Sequence, residues 1–390
     1  MTWPHGGLGT EESPYLVPDA DALDDSRSFT GDGVFFGLTA NIDLDSYSNW
    51  SPIANPAGCT YDFDGYYVDN LKITGTATDK GLFSNNYGTL TDPNILRANV
   101  SGGSRTSALC AWNRSTGVIT RPRVGRLSNQ SNIVVTSTAD HSGPVFGIND
   151  GGTITEGFAC AQSTTSGTSS FHQPGGFGGR HYNGGSISKC ACFSTTTTLS
   201  GGNWASCNGF CNIAQTGTAI TLSDCLSVGA LSAASTTDRG IGGFVGRADS
   251  PASGIDQIIR CYADVAITTD YSKSIIGAFL GWDLESRTKE CYFNSDTYAT
   301  DRNSPETVGL TSEEMKDSSN FDGFNFTTTW MMLSKTDIEA VCGAGYGTPA
   351  YDALPANLKD KPWLRSLSDV IIEGIEPECA ANPLFMFAGL

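Results

Sequence analysis

Gly176-Phe177-Gly178, Gly209-Phe210-Cys211, Gly243-Phe244-Val245 and Ala278-Phe279-Leu280 repeat one short text: a small residue, then Phe, then a small or apolar residue. Their phenylalanines lie 33, 34 and 35 residues apart. Toward the N-terminus, Pro144-Val145-Phe146, Ala108-Leu109-Cys110 and Gly81-Leu82-Phe83 continue the series, with central residues 32, 36 and 27 apart. Self-similarity at such a period decides the architecture before any single element is assigned.

Two further series run in step. Leu90, Ile119, Ile154, Ile187 and Ile220 follow one another at 29, 35, 33 and 33 residues, in the texts GTLT, GVIT, GTIT, GSIS and TAIT. Glycine supplies the bend there and β-branched residues suit a pleat. Cys160, Cys192, Cys225, Cys261 and Cys291 recur at 32, 33, 36 and 30. Three in-phase series per repeat describe a coil of about three short strands. Coils stacked in register place each strand ~4.8 Å above its copy, and like residues then form ladders along the interior. The fold expected is all-β: a right-handed parallel β-helix of about seven coils of about 33 residues, with a core roughly 30 Å long. A leucine-rich horseshoe would need dense Leu and an Asn ladder, and a propeller would need about four strands per repeat. The expected divisions are an N-terminal capping segment at 1–80, repeats at 81–293 and a C-terminal cap at 294–390.

Composition agrees. Of 390 residues 46 are Gly, 39% are hydrophobic and only 16% are charged, which suits turn-rich β-structure and a continuous core. A repeat rod escapes the length limit of a globular domain because its core grows along one axis. The net charge of −18 argues against nucleic acid as a partner, since phosphate binding needs a basic face. No apolar run approaches the ~18 residues of a membrane helix, so membrane insertion is not expected. Met1–Tyr15 lacks the basic-then-apolar pattern of a signal peptide, which leans the reading toward a virion component.

These texts resemble the GLUG-repeat family of β-helical surface proteins. The matching stretches are IRCYADVAI from Ile259, KECYFNSD from Lys289 and RGIGGFVGR from Arg239. GGLGTEESPYLV from Gly6, LTANIDLDSYSNWSPI from Leu38 and FDGYYVDNLKITG from Phe63 look like the family's opening. GLTSEEMKDSSNFDGFNFTTTW from Gly309 and KPWLRSL from Lys361 resemble its closing segment. CAWN, FCNIA and AFLGW depart from the usual opening text. The resemblance implies adhesion, cell-surface or phage-tail settings and carries over no catalytic residue.

Open strand edges invite aggregation, so the ends of the stack need covers. Strand candidates Val34–Leu38 and Val68–Ile73 lie in the N-terminal segment. Thr311 and Glu314 have capping-box spacing, which predicts a short helix through Met315–Lys316 over the last coil. The apolar tail from Pro383 to Leu390 is expected against the rod or in a partner.

Twelve cysteines invite a disulfide reading. Five at one phase instead stack as small buried apolar groups, and neighbours at the strand spacing exceed disulfide reach. Cys190-x-Cys192 and Cys207-x-x-x-Cys211 lack zinc-module spacing, so neither a metal nor a cofactor is expected. No hydrolase elbow, P-loop or metalloprotease motif occurs, and no catalytic residue is assigned. Asp43/Asp45 and Asp62/Asp64 are the acids spaced to share a strand face, as a glycoside hydrolase would require. Asp64-Gly65 reads better as a turn.

The candidate ligand-binding residues are Trp112, Arg114, Arg121, Arg123, Arg126 and Trp282. The tryptophans hold one phase of the repeat, three residues past the centres of their openings, and the arginines form the densest basic cluster in the chain. Aromatic faces stack on sugars and guanidinium forks hold anions. Ordinary surface packing would also account for them. The expected role is a non-catalytic virion or cell-surface protein, a fibre, receptor-binding component or adhesin. Its partners would be a cell-surface glycan or receptor, other assembly subunits, and further copies of the chain in a homo-oligomer such as a trimer. A polysaccharide depolymerase and a self-assembling filament subunit are the alternatives.

Overall fold

The structure, a computed structural model, describes residues 2–166, 172–198, 206–214, 220–233, 240–248, 257–269, 276–283, 288–298, 306–343 and 347–372. The chain is a parallel β-solenoid with three long faces, each strand pairing with its copies one coil away. Face A holds ten strands, from Tyr15–Val17 to Thr288–Lys289. Face B holds fourteen, beginning at Ile42–Asp43 and ending at Thr307–Leu310. Face C holds eight, from Ile53–Asn55 to Leu280–Asp283. That is one rung more than the seven openings show, because Ile53–Asn55 precedes Gly81 without the small-residue text. Parallel pairing already joins Tyr15–Val17, Phe35–Leu38 and Thr60–Asp62. The boundary drawn at residue 80 therefore falls inside the stack.

The interior explains the repeat. Leu90, Ile119, Ile154 and Ile187 are fully buried and in register on face A. The next rung is Leu222, not Ile220, which lies two residues earlier and is buried as well. Phe177, Phe210, Phe244 and Phe279 stack with centroids 4.8, 4.8 and 4.9 Å apart, the strand spacing itself. Gly178 is dictated by this packing: a Cβ there would lie 2.1 Å from the Phe146 ring. Each such buried side chain contributes roughly 1.5–3 kcal/mol by leaving water.

The cysteine ladder keeps Cys225, Cys261 and Cys291 of the five expected members, and Cys190 stands where Cys192 was expected. Its members are Cys190, Cys225, Cys261 and Cys291, each immediately before an in-register position: Ala191, Leu226, Tyr262 and Tyr292. Each thiol donates to the carbonyl two residues earlier, at 3.2–3.4 Å. Cys192 belongs to the neighbouring row, between Ala159 and Ser227. Cys160 faces the other way and packs beneath the C-terminal segment. The error arises because side chains alternate with period two, so Cys190 and Cys192 are equally inward and spacing alone cannot choose.

Among the described residues ten cysteines are buried, Cys342 is half-buried, and none of these is in a disulfide. Burial pushes the Cys59 thiol up to about 11 and those of Cys110, Cys160 and Cys192 up to about 12. A thiol reacts as its thiolate, so these four are expected to ignore a disulfide reagent at pH 8 until denaturant is added. Rapid labelling of any of them in the native protein would contradict this packing.

The C-terminal segment corrects a second expectation. Thr311 and Glu314 do form a capping box, with the Thr311 amide donating to Glu314 (2.8 Å) and the Glu314 amide to Thr311 Oγ1 (3.2 Å). They open only a 3₁₀ turn, Glu314–Lys316, and the segment runs along face B instead of covering the last coil. The row Phe158, Ala191, Leu226, Tyr262 and Tyr292 points outward there and would otherwise be an apolar stripe. Phe321, Phe324, Trp330, Trp363, Leu364 and Leu367 bury it. Polar fasteners pin the strap: Lys361 to Asp264, Tyr262 Oη to the Pro362 carbonyl (2.6 Å), Trp330 Nε1 to Asp224 (3.3 Å) and Arg123 to Asp369 (3.0 Å). The tail from Pro383 to Leu390 lies outside the described residues.

Candidate binding face

Face C carries the aromatic residues. Its strands alternate, so in Cys110–Asn113 the Trp112 side chain is half-exposed while Asn113 is buried. Trp112 lies in a row that continues in register through Ile148, Arg180 and Asn212, with Ile148 and Asn212 buried. The Arg247 amide donates to Asn212 (2.8 Å), and Arg247 pairs in register with Trp282. Trp112 and Trp282 therefore occupy one row, five rungs or ~24 Å apart at the strand spacing.

Around Trp112 the row becomes a cationic and aromatic cluster. The guanidinium carbons of Arg114 and Arg105 lie 3.1 and 4.2 Å from its ring centroid. Arg114 also reaches Asn85 (3.0 Å) and approaches Asp150 (3.8 Å) and the Tyr87 ring (5.5 Å). Trp112 Nε1 donates to Asp150 (3.2 Å), and Arg105 is held by Asp79. Further along, Arg180 lies 4.9 Å from Tyr182 and Arg247 5.7 Å from Trp282. A guanidinium over an aromatic ring is held by the ring quadrupole, which keeps long side chains ordered at the surface.

The basic cluster read from the sequence is not part of this face. Arg121 sits at the corner between faces A and B, bound bidentately to Asp92. Arg123 is buried, its guanidinium held by Asp369 (3.0 and 3.2 Å) and the carbonyls of Glu156 (2.6 Å) and Ser366 (3.4 Å). Arg126 is half-buried, and burial lowers its pKa. Closeness in sequence placed the three together, whereas the solenoid gives them separate structural tasks. The acid pairs are turns. The Asp45 amide donates to Asp43 (3.0 Å) and the Asp64 amide to Asp62 (2.9 Å).

A buried row beside the face escaped the sequence reading. Asn55, Asn86, Asn113 and Asn149 form an amide ladder with links of 2.7, 2.8 and 2.7 Å. The signal was available as Asn two to four residues before Gly88, Gly117 and Gly152. Each amide satisfies the next, which removes the cost of burying it. His181 continues the ladder, with Nδ1 3.1 Å from Asn149 Nδ2 and Nε2 without a partner.

Burial lowers the His181 pKa from 6.5 to about 4. The unfolded chain takes up this proton below about 6.5, whereas the folded chain refuses it until about 4. Stability from neutral His181 is thus full above the unfolded value and lost as the pH falls through that window. His181→Asn is expected to flatten the fall of the urea midpoint between pH 6.5 and 4. An unchanged slope would assign that fall to other groups.

No protein-family model matches the chain. A "Putative Gly-rich membrane protein" of Evansella cellulosilytica is 40% identical over 76 residues, which are 18% of this chain and only 8% of that relative. A solved structure described as "a putative immunoglobulin A1 protease from Bacteroides ovatus" aligns with 84% of this chain and 91% of its own, at a TM-score of 0.58 and 17% identity. The likeness shows a shared fold. Among the described residues, no helix is long and apolar enough to cross a membrane.

Proposed function

We propose that the chain is a non-catalytic, surface-exposed binding rod of an adhesin or virion fibre that holds a cell-surface glycan along face C. The observation that carries this reading is the single row joining Trp112 to Trp282, with Arg114, Arg180 and Arg247 beside aromatic rings between them. A rigid face with ordered aromatics at fixed spacing suits an extended, repetitive ligand, because little side-chain entropy is lost on binding. The relative named a "Putative Gly-rich membrane protein", 40% identical over 76 residues, fits a surface setting. The repeat texts that resemble GLUG proteins point the same way.

The test is incubation with surface polysaccharides from candidate cells, followed by size-exclusion chromatography. Co-elution with polymers of unchanged length is expected, and Trp112→Ala with Trp282→Ala should weaken it at least tenfold. Shortened polymers would overturn the non-catalytic reading in favour of a depolymerase. Absence of binding would leave a structural or assembly subunit.

A further inference from the structure

Each regular coil turns from face A to face B on one left-handed residue, and these seven corners alternate in charge. They are Asp92, Arg121, Glu156, Lys189, Asp224, Arg260 and Glu290, with φ between 49° and 57°. Gly or Asn would adopt this conformation more readily than Arg, Glu or Lys, so backbone geometry does not select these side chains. The corners are in register: the amides of Asp92, Arg121, Glu156, Lys189, Asp224 and Arg260 each donate to the residue before the next corner, at 2.8–3.0 Å. Arg121 binds Asp92, Lys189 binds Glu156 (3.3 Å) and Arg260 binds Asp224 (2.7 and 2.7 Å).

We infer that this alternating ridge is a register code that tells neighbouring coils from next-but-one coils during folding. The repeated apolar ladders of the interior cannot make that distinction. Skipping one coil would set Phe177 on Phe244, Cys190 on Cys261 and Ile119 on Ile187, contacts as apolar as the native ones. At the corners the same skip sets Asp92 on Glu156, Arg121 on Lys189 and Glu156 on Asp224. Like charges directly across a strand pair repel, so only the native register is favoured on both counts. The row works as specification against a close competitor, the hazard of every repetitive fold.

The test exchanges Glu156→Lys with Lys189→Glu in the full chain. Composition, net charge and an opposite-charge pair at these two corners are kept, while alternation breaks at both flanks. After denaturation and refolding at low salt, the yield of native monomer should fall several-fold. Hydrogen exchange should then find a subpopulation with one coil's length unprotected. High salt, which screens exposed charges, should bring variant and wild type together. Ile187→Val, weakened in the core with the ridge intact, should refold without such a subpopulation. The inference is overturned if the exchanged variant refolds like wild type at low salt, or loses yield with no unprotected coil. It is equally overturned if Ile187→Val produces the same species.

Discussion

Lys361→Ala is expected to destabilise the protein by about 3–5 kcal/mol, more than loss of any surface ion pair in the chain. The Lys361 and Asp264 side chains are only 6% and 3% exposed, and they fasten the strap to face B. Asp264 also accepts from Asn294 Nδ2 (2.7 Å), and the adjacent Pro362 carbonyl accepts from Tyr262 (2.6 Å). Removing the lysine leaves a buried carboxylate with one neutral partner, and the uncompensated charge dominates the loss. The pair itself is not the source of that figure, because desolvation offsets most of its attraction. Lys361→Met combined with Asp264→Leu should therefore recover much of the stability that either single change loses. Urea midpoints of the wild type, both single variants and the double variant give the coupling. If Lys361→Ala matches wild type, the strap is held by its apolar contacts alone. Hydrogen exchange adds the location. Selective exposure at 306–372 would show the strap opening by itself, as a weakly coupled unit of a linear fold can.

The contrast between the two sides of the rod explains how far the sequence could be read. Phe177, Phe210, Phe244 and Phe279 announce the fold because an in-register stack demands the same side chain at the same phase. Trp112 and Trp282 were placed on one row by the same logic, since phase is shared by inward and outward positions alike. Phase cannot resolve a shift of two residues, and that shift separates Cys192 from Cys190 and Ile220 from Leu222. Contacts between the strap and face B obey no period. Arg123 meets Asp369 across 246 residues, so its burial is invisible in its neighbourhood, where it reads as part of a basic surface cluster. The corner ridge was readable in principle, one residue after each face A triplet. Its members differ in type, and only the backbone conformation shows that they are equivalent.

Phe210→Ala is expected to cost roughly 3–5 kcal/mol, by lost transfer energy and by the cavity left in a close-packed interior. Phe210 is fully buried, with Phe177 at 4.8 Å and 2° on one side and Phe244 at 4.8 Å and 13° on the other. Neither neighbour can fill the gap, because each is held at the strand spacing by its own backbone ladder. Phe279 has one stacked neighbour, Phe244 at 4.9 Å, so Phe279→Ala should cost less by roughly one aromatic contact, ~0.5–1.5 kcal/mol. Phe210→Leu should cost less than Phe210→Ala, since it keeps most of the volume. The larger consequence lies in cooperativity. A linear stack is stable through interfaces between adjacent coils, and a cavity at one interface weakens the link between the two halves. Calorimetry should show one transition in the wild type and a broadened or split one in Phe210→Ala. The transition should remain single in Phe279→Ala, where the damage lies near the end of the stack. Equal losses and equally sharp transitions in the two variants would mean that stacking within the ladder adds nothing to burial.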